Sequence, residues 1–460
     1  MGFREEKDSM GSIGVPDNAY YGAQTQRAIE NFPISGLTFP PEFIHALALI
    51  KQCSAQVNKE LGLLPAEIAD AIIAAAREVM AAKHADQFPV DVFQTGSGTS
   101  TNMNMNEVLS SRANEIITGQ KGGNSPVHPN DHVNLCQSSN DVIPSAIHVA
   151  ALTAIRNRLL PSLQVLHQSL SEKSAAFMDI EKIGRTHLQD AIPITLGQEF
   201  SGYARQIELG LDRIKATQER LAELTLGGTA VGTGANTHPE FAAKAIALIA
   251  EHTRAPFRKA ANHFEAQAAQ DAAVETSGAL KTLAVSLVKI ANDIRWLASG
   301  PRCGFGEINI PSLQPGSSFM PGKVNPVIPE AVVQVAAQVV GNDTTITIGG
   351  QSGNFELNAM LPVLAYNLLH SISLLSAASE VFALKCVKGI TANRRKCSSN
   401  IEQSLALVTA LVPQIGYDKA AEIARKAYDT GKTIRAVALE ERVLREAELE
   451  RLLGPAERDQ

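Results

Sequence analysis

A chain of 460 residues with 45% hydrophobic content is long enough for a large packed core and far from a disordered composition. Its formal net charge of -6 argues against nucleic acid or an anionic membrane surface as the main partner, while leaving room for a local cationic pocket that takes a small anion. Length alone suggests roughly two to four domains or one large helical body.

The first residues, MGFREEKDSM, carry charge from Arg4 and hold no apolar run, which predicts no signal peptide. Gly2 does not open a myristoylation motif, because the sixth residue is Glu6 instead of Ser or Thr. Five dispersed cysteines (Cys53, Cys136, Cys303, Cys386, Cys397) form no CxxC pair and are expected as buried, reduced thiols of a cytoplasmic protein. The uncharged run 357–379 is long enough to span a bilayer, but Asn358, Pro362, Asn367 and His370 make it a buried core helix. A soluble protein is expected.

Residues 1–135 mix short segments with turns at 20–22 and 31–33, then carry helical patterns at 44–61 and 65–82. The polar run QTGSGTSTNMNMNE, 94–107, opens into a helix over 108–117. Gly96 and Gly98 bracket Ser97 there, a turn that offers free backbone N–H groups at a positive helix end. On its own it reads first as an ordinary N-cap. The run HPNDHVNLCQSSND, 128–141, repeats the theme: Ser138 to Asp141 stand just before a long helical pattern, where a helix cap is the first reading and an anion site the second.

From there to about residue 390 the periodicity is helical. Ile155, Leu159, Leu163, Leu166 and Leu170 step by 4, 4, 3 and 4. Leu280, Leu283, Leu287, Ile290, Ile294 and Leu297 step by 3, 4, 3, 4 and 3, and stop before Gly300-Pro301. Residues 198–223 and 331–340 also look helical. Helices of roughly 25–30 residues span on the order of 40 Å, more than one subunit can cover, so self-association is expected. Three loops interrupt them: GRTHLQDAIP at 184–193, LGGTAVGTGANTHPE at 226–240 and GSSFMPGKVNP at 316–326. The last combines Gly316, Gly322, Pro321 and Pro326, so it is neither helix nor strand. It reads as a mobile loop that ends in a helix start and aims Ser, Lys and Asn at an anion. After 391 short helices follow at 420–427 and 440–452. The expected division is 1–135, a mixed, mostly helical domain; 136–390, a bundle of long helices; and 391–460, a small helical domain.

These polar loops share Ser, Thr, Asn, His and Lys, with almost no apolar lining. That vocabulary suits a small, oxygen-rich anion, not a nucleotide or a lipid. No GxxxxGK[ST] loop, GxGxxG after a strand or GxSxG elbow occurs. His128, Asp131 and His132 could offer metal ligands, but HExxH and paired-Cys spacings are missing.

GSSFMPGKVNP closely resembles the signature of the fumarase/aspartase superfamily. TGSGTSTNMNMNE, HPNDHVN, QSSND, GRTHLQDA and GTAVGTG resemble its other motifs in the same order, over about residues 4–428. GAQTQR (22–27), TGSGT (95–99), SSN (138–140) and GNFELN (353–358) resemble the class II fumarate hydratase branch. VIPE (327–330) and GNDTT (341–345) resemble aspartases instead.

The resemblance implies a mainly α, three-domain fold whose long helices assemble into a homotetramer with shared active sites. It implies a dicarboxylate substrate and no metal or organic cofactor. The reaction is reversible hydration of fumarate to L-malate, with aspartate ammonia-lyase as the alternative. Within it, Ser317 is the base; His187, oriented by Glu330, is the acid. Thr99, Asn140, Lys323 and Asn325 hold the carboxylates, while Ser97, Gly98, Ser138, Ser139, Thr186, Ser318 and Val324 line the same loops and add donors. A second anion site falls on His128, Pro129, Asn130 and Asp131. The family often has an arginine three residues before that histidine, where this chain has Ser125. A non-catalytic structural role, known in this superfamily from lens crystallins, fits poorly with Ser317, His187, Lys323 and Glu330 all being present.

Overall fold

The apolar stripes of the sequence become buried helix faces in the computed structural model, which describes residues 2–454. Helices make up 63% of the chain, and every sheet among the described residues is only two-stranded, which establishes the mainly α class. Two compact units lie within Met1–Pro161, Leu211–Ala284 and Val335–Ser376 for the first, and within Ser162–Gly210, Val285–Gln334 and Ala377–Gln460 for the second.

The first unit is built on the helix Pro41–Glu60, which opens with Pro at its first position and buries an almost continuous run from Phe43 to Asn58. This helix is buried nearly all round because helices cover it on several sides: Ala66–Met80, Ser139–Ala154 and Phe241–Thr253 all pack against it. Phe43, Leu47 and Ile50 are fully buried, each contributing roughly 1.5–3 kcal/mol of hydrophobic stabilisation. The periodic series holds throughout: Ile155, Leu159, Leu163, Leu166 and Leu170 are fully buried.

The long helices are Leu196–Leu221, Asp271–Leu297, Val327–Gly350 and Leu361–Lys385, of 26, 27, 24 and 25 residues. All six residues of the 280–297 series are buried, and the helix ends just before Gly300-Pro301 as its spacing predicts. The stretch Leu361–Gly389 is long and apolar enough to cross a membrane, but 56% of its most apolar window is buried in protein. In the second unit, Leu407, Leu411, Ile423, Ile434, Val437 and Leu449 form a small core of their own.

Three expectations need correction. The helix after TGSG starts at Thr99, not near Val108, so Asn102, Asn104 and Asn106 are buried helical residues. The segment GRTHLQDAIP is no loop; it forms most of an antiparallel hairpin, Glu181–Thr186 against Gln189–Thr195. Cys303 is exposed, unlike the other four cysteines.

Candidate active site

In the first unit, the Gly-Ser-Gly turn is dictated by space. Gly98 caps the helix Thr99–Thr118 at φ +72, a left-handed conformation that favours glycine. A Cβ on Gly96 would sit 1.9 Å from the carbonyl oxygen of Ala359, and the Leu361 N–H donates to Gly96 at 3.0 Å, so this turn is pressed against the segment after GNFELN. Ser97 is nearly buried, its Oγ 2.8 Å from Thr99 Oγ1. Glu107, further along this helix, accepts from the backbone of Gly22, Gln24 and Thr25, anchoring the GAQTQR motif.

Ser138 caps the helix Ser139–Ala154 in a full capping box: its Oγ accepts from Asn140 N at 3.2 Å, and Asp141 Oδ1 accepts from Ser138 N at 2.9 Å. The other oxygen of Asp141 accepts from Gly227 and Thr229, both at 2.9 Å. Asn140 Nδ2 donates to Ala230 at 2.8 Å. The SSND and GTAVGTG motifs, some ninety residues apart in sequence, are thereby one structure. Burial pushes the Asp141 carboxyl up to about 6, against the pull of the three N–H donors and Lys51.

His128, Pro129, Asn130 and Asp131 form a tight turn in the same unit, with His128 Nδ1 accepting from Asn130 and Asp131 N–H groups. His128, Pro129 and Asn130 line a cavity of about 500 Å³. Its wall also carries Glu6, Asp8 and Glu107, the first two paired with Arg4 and Arg27.

In the second unit, strand pairing of Thr186 with Gln189 leaves His187 and Leu188 as a two-residue turn. Both have positive φ, +55 and +59, a turn type usually taken by Asn or Gly. Holding His and Leu there costs roughly 1–2 kcal/mol per residue. The His187 side chain is exposed at the tip, and among the described residues it makes no hydrogen bond or ion pair. Strain at such a position belongs with function.

The loop 316–326 is ordered by its own bonds. Gly316 N donates to Lys323 O at 2.7 Å, and Asn325 Nδ2 donates to Gly316 O at 2.6 Å. Inside that clasp, Ser317 Oγ accepts from the N–H groups of Phe319 at 3.1 Å and Met320 at 2.8 Å. Lys323 Nζ donates to Asn325 Oδ1 at 2.8 Å. Ser318 and Val324 are exposed beside them. The helix Val327–Gly350 follows, with Glu330 in its first turn. Lys323, Val324, Asn325 and Glu330 share the wall of a cavity of about 820 Å³ with Arg295 and Trp296.

The candidate residues therefore fall in two groups. Ser97, Gly98, Thr99, Ser138, Ser139, Asn140 and the His128 turn belong to the first unit; Thr186, His187, Ser317, Ser318, Lys323, Val324, Asn325 and Glu330 belong to the second. Sequence reasoning missed the residues that hold them. Arg185 and Glu307 form a fork behind the His187 hairpin, and Lys51, Asn102 and Asn134 lie beneath Ser139. A buried lysine in an apolar helix face has no motif to announce it. The alternating asparagines of TNMNMNE were a usable signal, since polar residues rarely fill a helix core without a network.

Residues 11–341 match the family profile described as lyase, and 407–457 match that of the fumarase C C-terminus. Class II fumarate hydratase of Nitrosomonas europaea is 59% identical over 95% of this chain and 95% of its own length. The Yersinia pestis protein of that name is 56% identical over 98% and 97%. The crystal structure of recombinant class II fumarase from Schistosoma mansoni superposes with a TM-score of 0.95 at 41% identity, covering 99% of this chain and 98% of that one. The chain belongs to the class II fumarate hydratase family of lyases.

Proposed function

We propose that this protein catalyses the reversible hydration of fumarate to L-malate, with Ser317 as the base that exchanges the proton on the carbon beside a carboxylate. The observation that carries this reading is the pair of backbone N–H groups on Ser317 Oγ. A serine hydroxyl is too weak a base at its ordinary pKa. Two fixed donors favour its alkoxide, with the Lys323 ammonium on the same loop, and so bring it toward the needed basicity.

In the dehydration of malate, the Ser317 alkoxide takes the C3 proton. The electron pair enters the adjacent carboxylate as a dianionic aci-carboxylate, which preorganised donors must stabilise. Lys323 and Asn325 supply these from the loop; Thr99 and Asn140 stand at two helix N-termini, where N–H groups and dipoles favour anions. Ser97, Ser138, Ser139, Thr186 and Ser318 add hydroxyls. His187 then protonates the departing hydroxide through a water, and Glu330 holds the imidazole in the required tautomer. No metal or organic cofactor takes part in this scheme.

The His187 tip and the Ser317 loop are exposed on the single chain, as are Phe319, Val285, Trp296, Val340 and Ile348. Their exposure supports a homotetramer in which neighbouring copies cover these side chains and share sites, bringing His187 to Glu330. The division into 1–135, 136–390 and 391–460 is retained as the proposed domain layout, supported at its end by the separate core from Leu407 to Leu453. Residues 455–460 of that last domain, and Met1 of the first, lie outside the described residues. Function in the cytoplasm completes the reading. The His128–Asp131 turn is at most a weak second anion site: Ser125 replaces the usual arginine, and three carboxylates share its cavity.

The test is direct. Purified protein given fumarate or L-malate should interconvert them, followed by ultraviolet absorbance without added metal. Turnover of L-aspartate alone would overturn the substrate assignment in favour of an ammonia-lyase.

A further inference from the structure

Beneath the turn that carries Ser138, Ser139 and Asn140 lies a buried lysine with no part in the scheme above. Lys51, in the middle of the helix Pro41–Glu60, is fully buried. Its Nζ donates to Asn134 Oδ1 at 3.0 Å and to Gln137 Oε1 at 2.9 Å. Asn134 Oδ1 also receives Asn102 Nδ2 at 3.2 Å and Asn106 Nδ2 at 3.1 Å, while Asn134 Nδ2 donates to Gln137 O at 3.1 Å. Three donors converge on one amide oxygen, so Asn134 can present only its oxygen to Asn102.

Asn102, itself buried, therefore turns its NH₂ group toward Asn134, and the same group donates to Ser139 Oγ at 3.1 Å. A hydroxyl that accepts from an amide on one side directs its own proton elsewhere. Among the described residues, nothing accepts a hydrogen bond from Ser139. Its proton is left for a ligand oxygen.

We propose that Lys51 is a positioning residue for dicarboxylate binding: through Asn134 and Asn102 it fixes Ser139 as a hydrogen-bond donor to the substrate carboxylate. This rests on the reading above that places Ser139 at that carboxylate. A lysine here is costly, since burial pushes its pKa down to about 7 against the attraction of Asp141. Charged or neutral, the amine still donates, so the orientation of the chain holds across that titration. An apolar residue of the same length would fill the space but strip Gln137 Oε1 of its donor and Asn134 Oδ1 of one of its three, loosening the hold on Asn134.

The experiment uses the full-length oligomer carrying Lys51→Met. The KM for fumarate and the Kd for succinate, a non-reacting dicarboxylate measured by calorimetry, should both rise about tenfold, the worth of one charge-assisted hydrogen bond, with kcat changed less than about threefold. Asn102→Asp, which puts an acceptor against Ser139, should move both constants further in the same direction. Adding Ser139→Ala to Lys51→Met should cost little more than Lys51→Met alone. A folded Lys51→Met protein with lower Tm but unchanged KM and Kd would overturn the proposal, leaving Lys51 a structural residue. If that variant does not fold, Asn134→Leu breaks the same chain one link further on and is read by the same constants. A wild-type protein that binds succinate but leaves fumarate unchanged would sink the proposed reaction, while the succinate series still decides the role of Lys51.

Discussion

Arg185 and Glu307 meet as a two-pronged fork, Nη1 to Oε2 at 3.0 Å and Nη2 to Oε1 at 2.7 Å, with the glutamate fully buried. Arg185 stands two residues before His187, on the strand that leads into its turn, and its guanidinium also lies 4.2 Å from the centre of the Phe305 ring. Glu307 takes a further donor from Asn400, lies 3.3 Å from Lys182, and its backbone accepts from Asn393. Although burial alone would raise the Glu307 pKa, these partners, Arg185 first, hold it below the usual range. The exposed, strained turn at His187 thus stands on a rigid ionic base.

Replacing Glu307 by Gln tests that support. One fork of the pair becomes an amide, and Arg185 and Lys182 keep buried positive charge without full compensation. Breaking a buried pair of this kind costs about 3–5 kcal/mol. Denaturant unfolding should show a loss of that order, and kcat should fall because the hairpin loses its anchor. Wild-type stability together with wild-type kcat would show that the fork does neither job.

A second ion pair sets an acid limit on the other unit. Glu78 accepts from Arg112 at 2.7 and 3.1 Å and contacts His84, joining the helix Ala66–Met80 to the helix that begins at Thr99. The Arg112 hydrogen bond holds the Glu78 carboxyl down to about 2, against burial, from an ordinary value of 4.5. A depressed folded-state pKa stabilises the protein above the unfolded pKa, and the contribution fades as pH falls from about 4.5 toward 2. The Tm difference between wild type and Glu78→Gln should therefore be greatest above about pH 5 and shrink steadily below it. A difference that stays constant from pH 7 to pH 3 would remove Glu78 from the acid response.

The sequence was most legible where local chemistry and packing agree. Spacing alone located the 280–297 stripe, whose six residues are all buried, and the stop at Gly300-Pro301. It misplaced the start of the helix after TGSG, because TSTNMNMNE is polar and looks like loop. Asn102 and Asn106 are internal to a network that includes Lys51 and Asn134, and Asn104 donates to the Gln87 carbonyl, partners distant in sequence. The hairpin at His187 was hidden for a similar reason. A turn with two positive φ values is normally announced by Asn-Gly, and here it is His-Leu, held by strand pairing and by the Arg185 fork. The loop motifs were visible because their chemistry is local: glycine where no Cβ fits, and serine where two N–H groups converge.

Gly316 is one such position. A Cβ added there would lie 2.6 Å from the Lys323 carbonyl oxygen and 2.8 Å from the Asn325 nitrogen, both backbone atoms that cannot swing aside. Gly316→Ala should open the clasp made by Lys323 and Asn325 and displace Ser317 from its donors. Because the loop is largely exposed, Tm should move by only a degree or two, while kcat/KM should fall by about a hundredfold or more, as misplacement of about 1 Å at a reacting group does. Unaltered kinetics in the alanine variant would mean that the clasp is not needed for turnover.

The two serines at the head of this loop give the sharpest contrast. Ser317 Oγ is held by two backbone N–H groups, whereas Ser318 is exposed and its side chain has no hydrogen bond among the described residues. If Ser317 is the base, Ser317→Ala should lower kcat by about 10²–10⁴-fold, the range for loss of a general base. Ser318→Ala should mainly raise KM, by about tenfold or less, since it removes one donor to a carboxylate. Light scattering should find both variants in the same oligomer as wild type, because neither side chain is buried in a core. Equal losses from the two substitutions would assign both serines to binding. A fully active Ser317→Ala protein would move the proton abstraction to another group, and the pair of N–H donors at Ser317 would then only shape the loop.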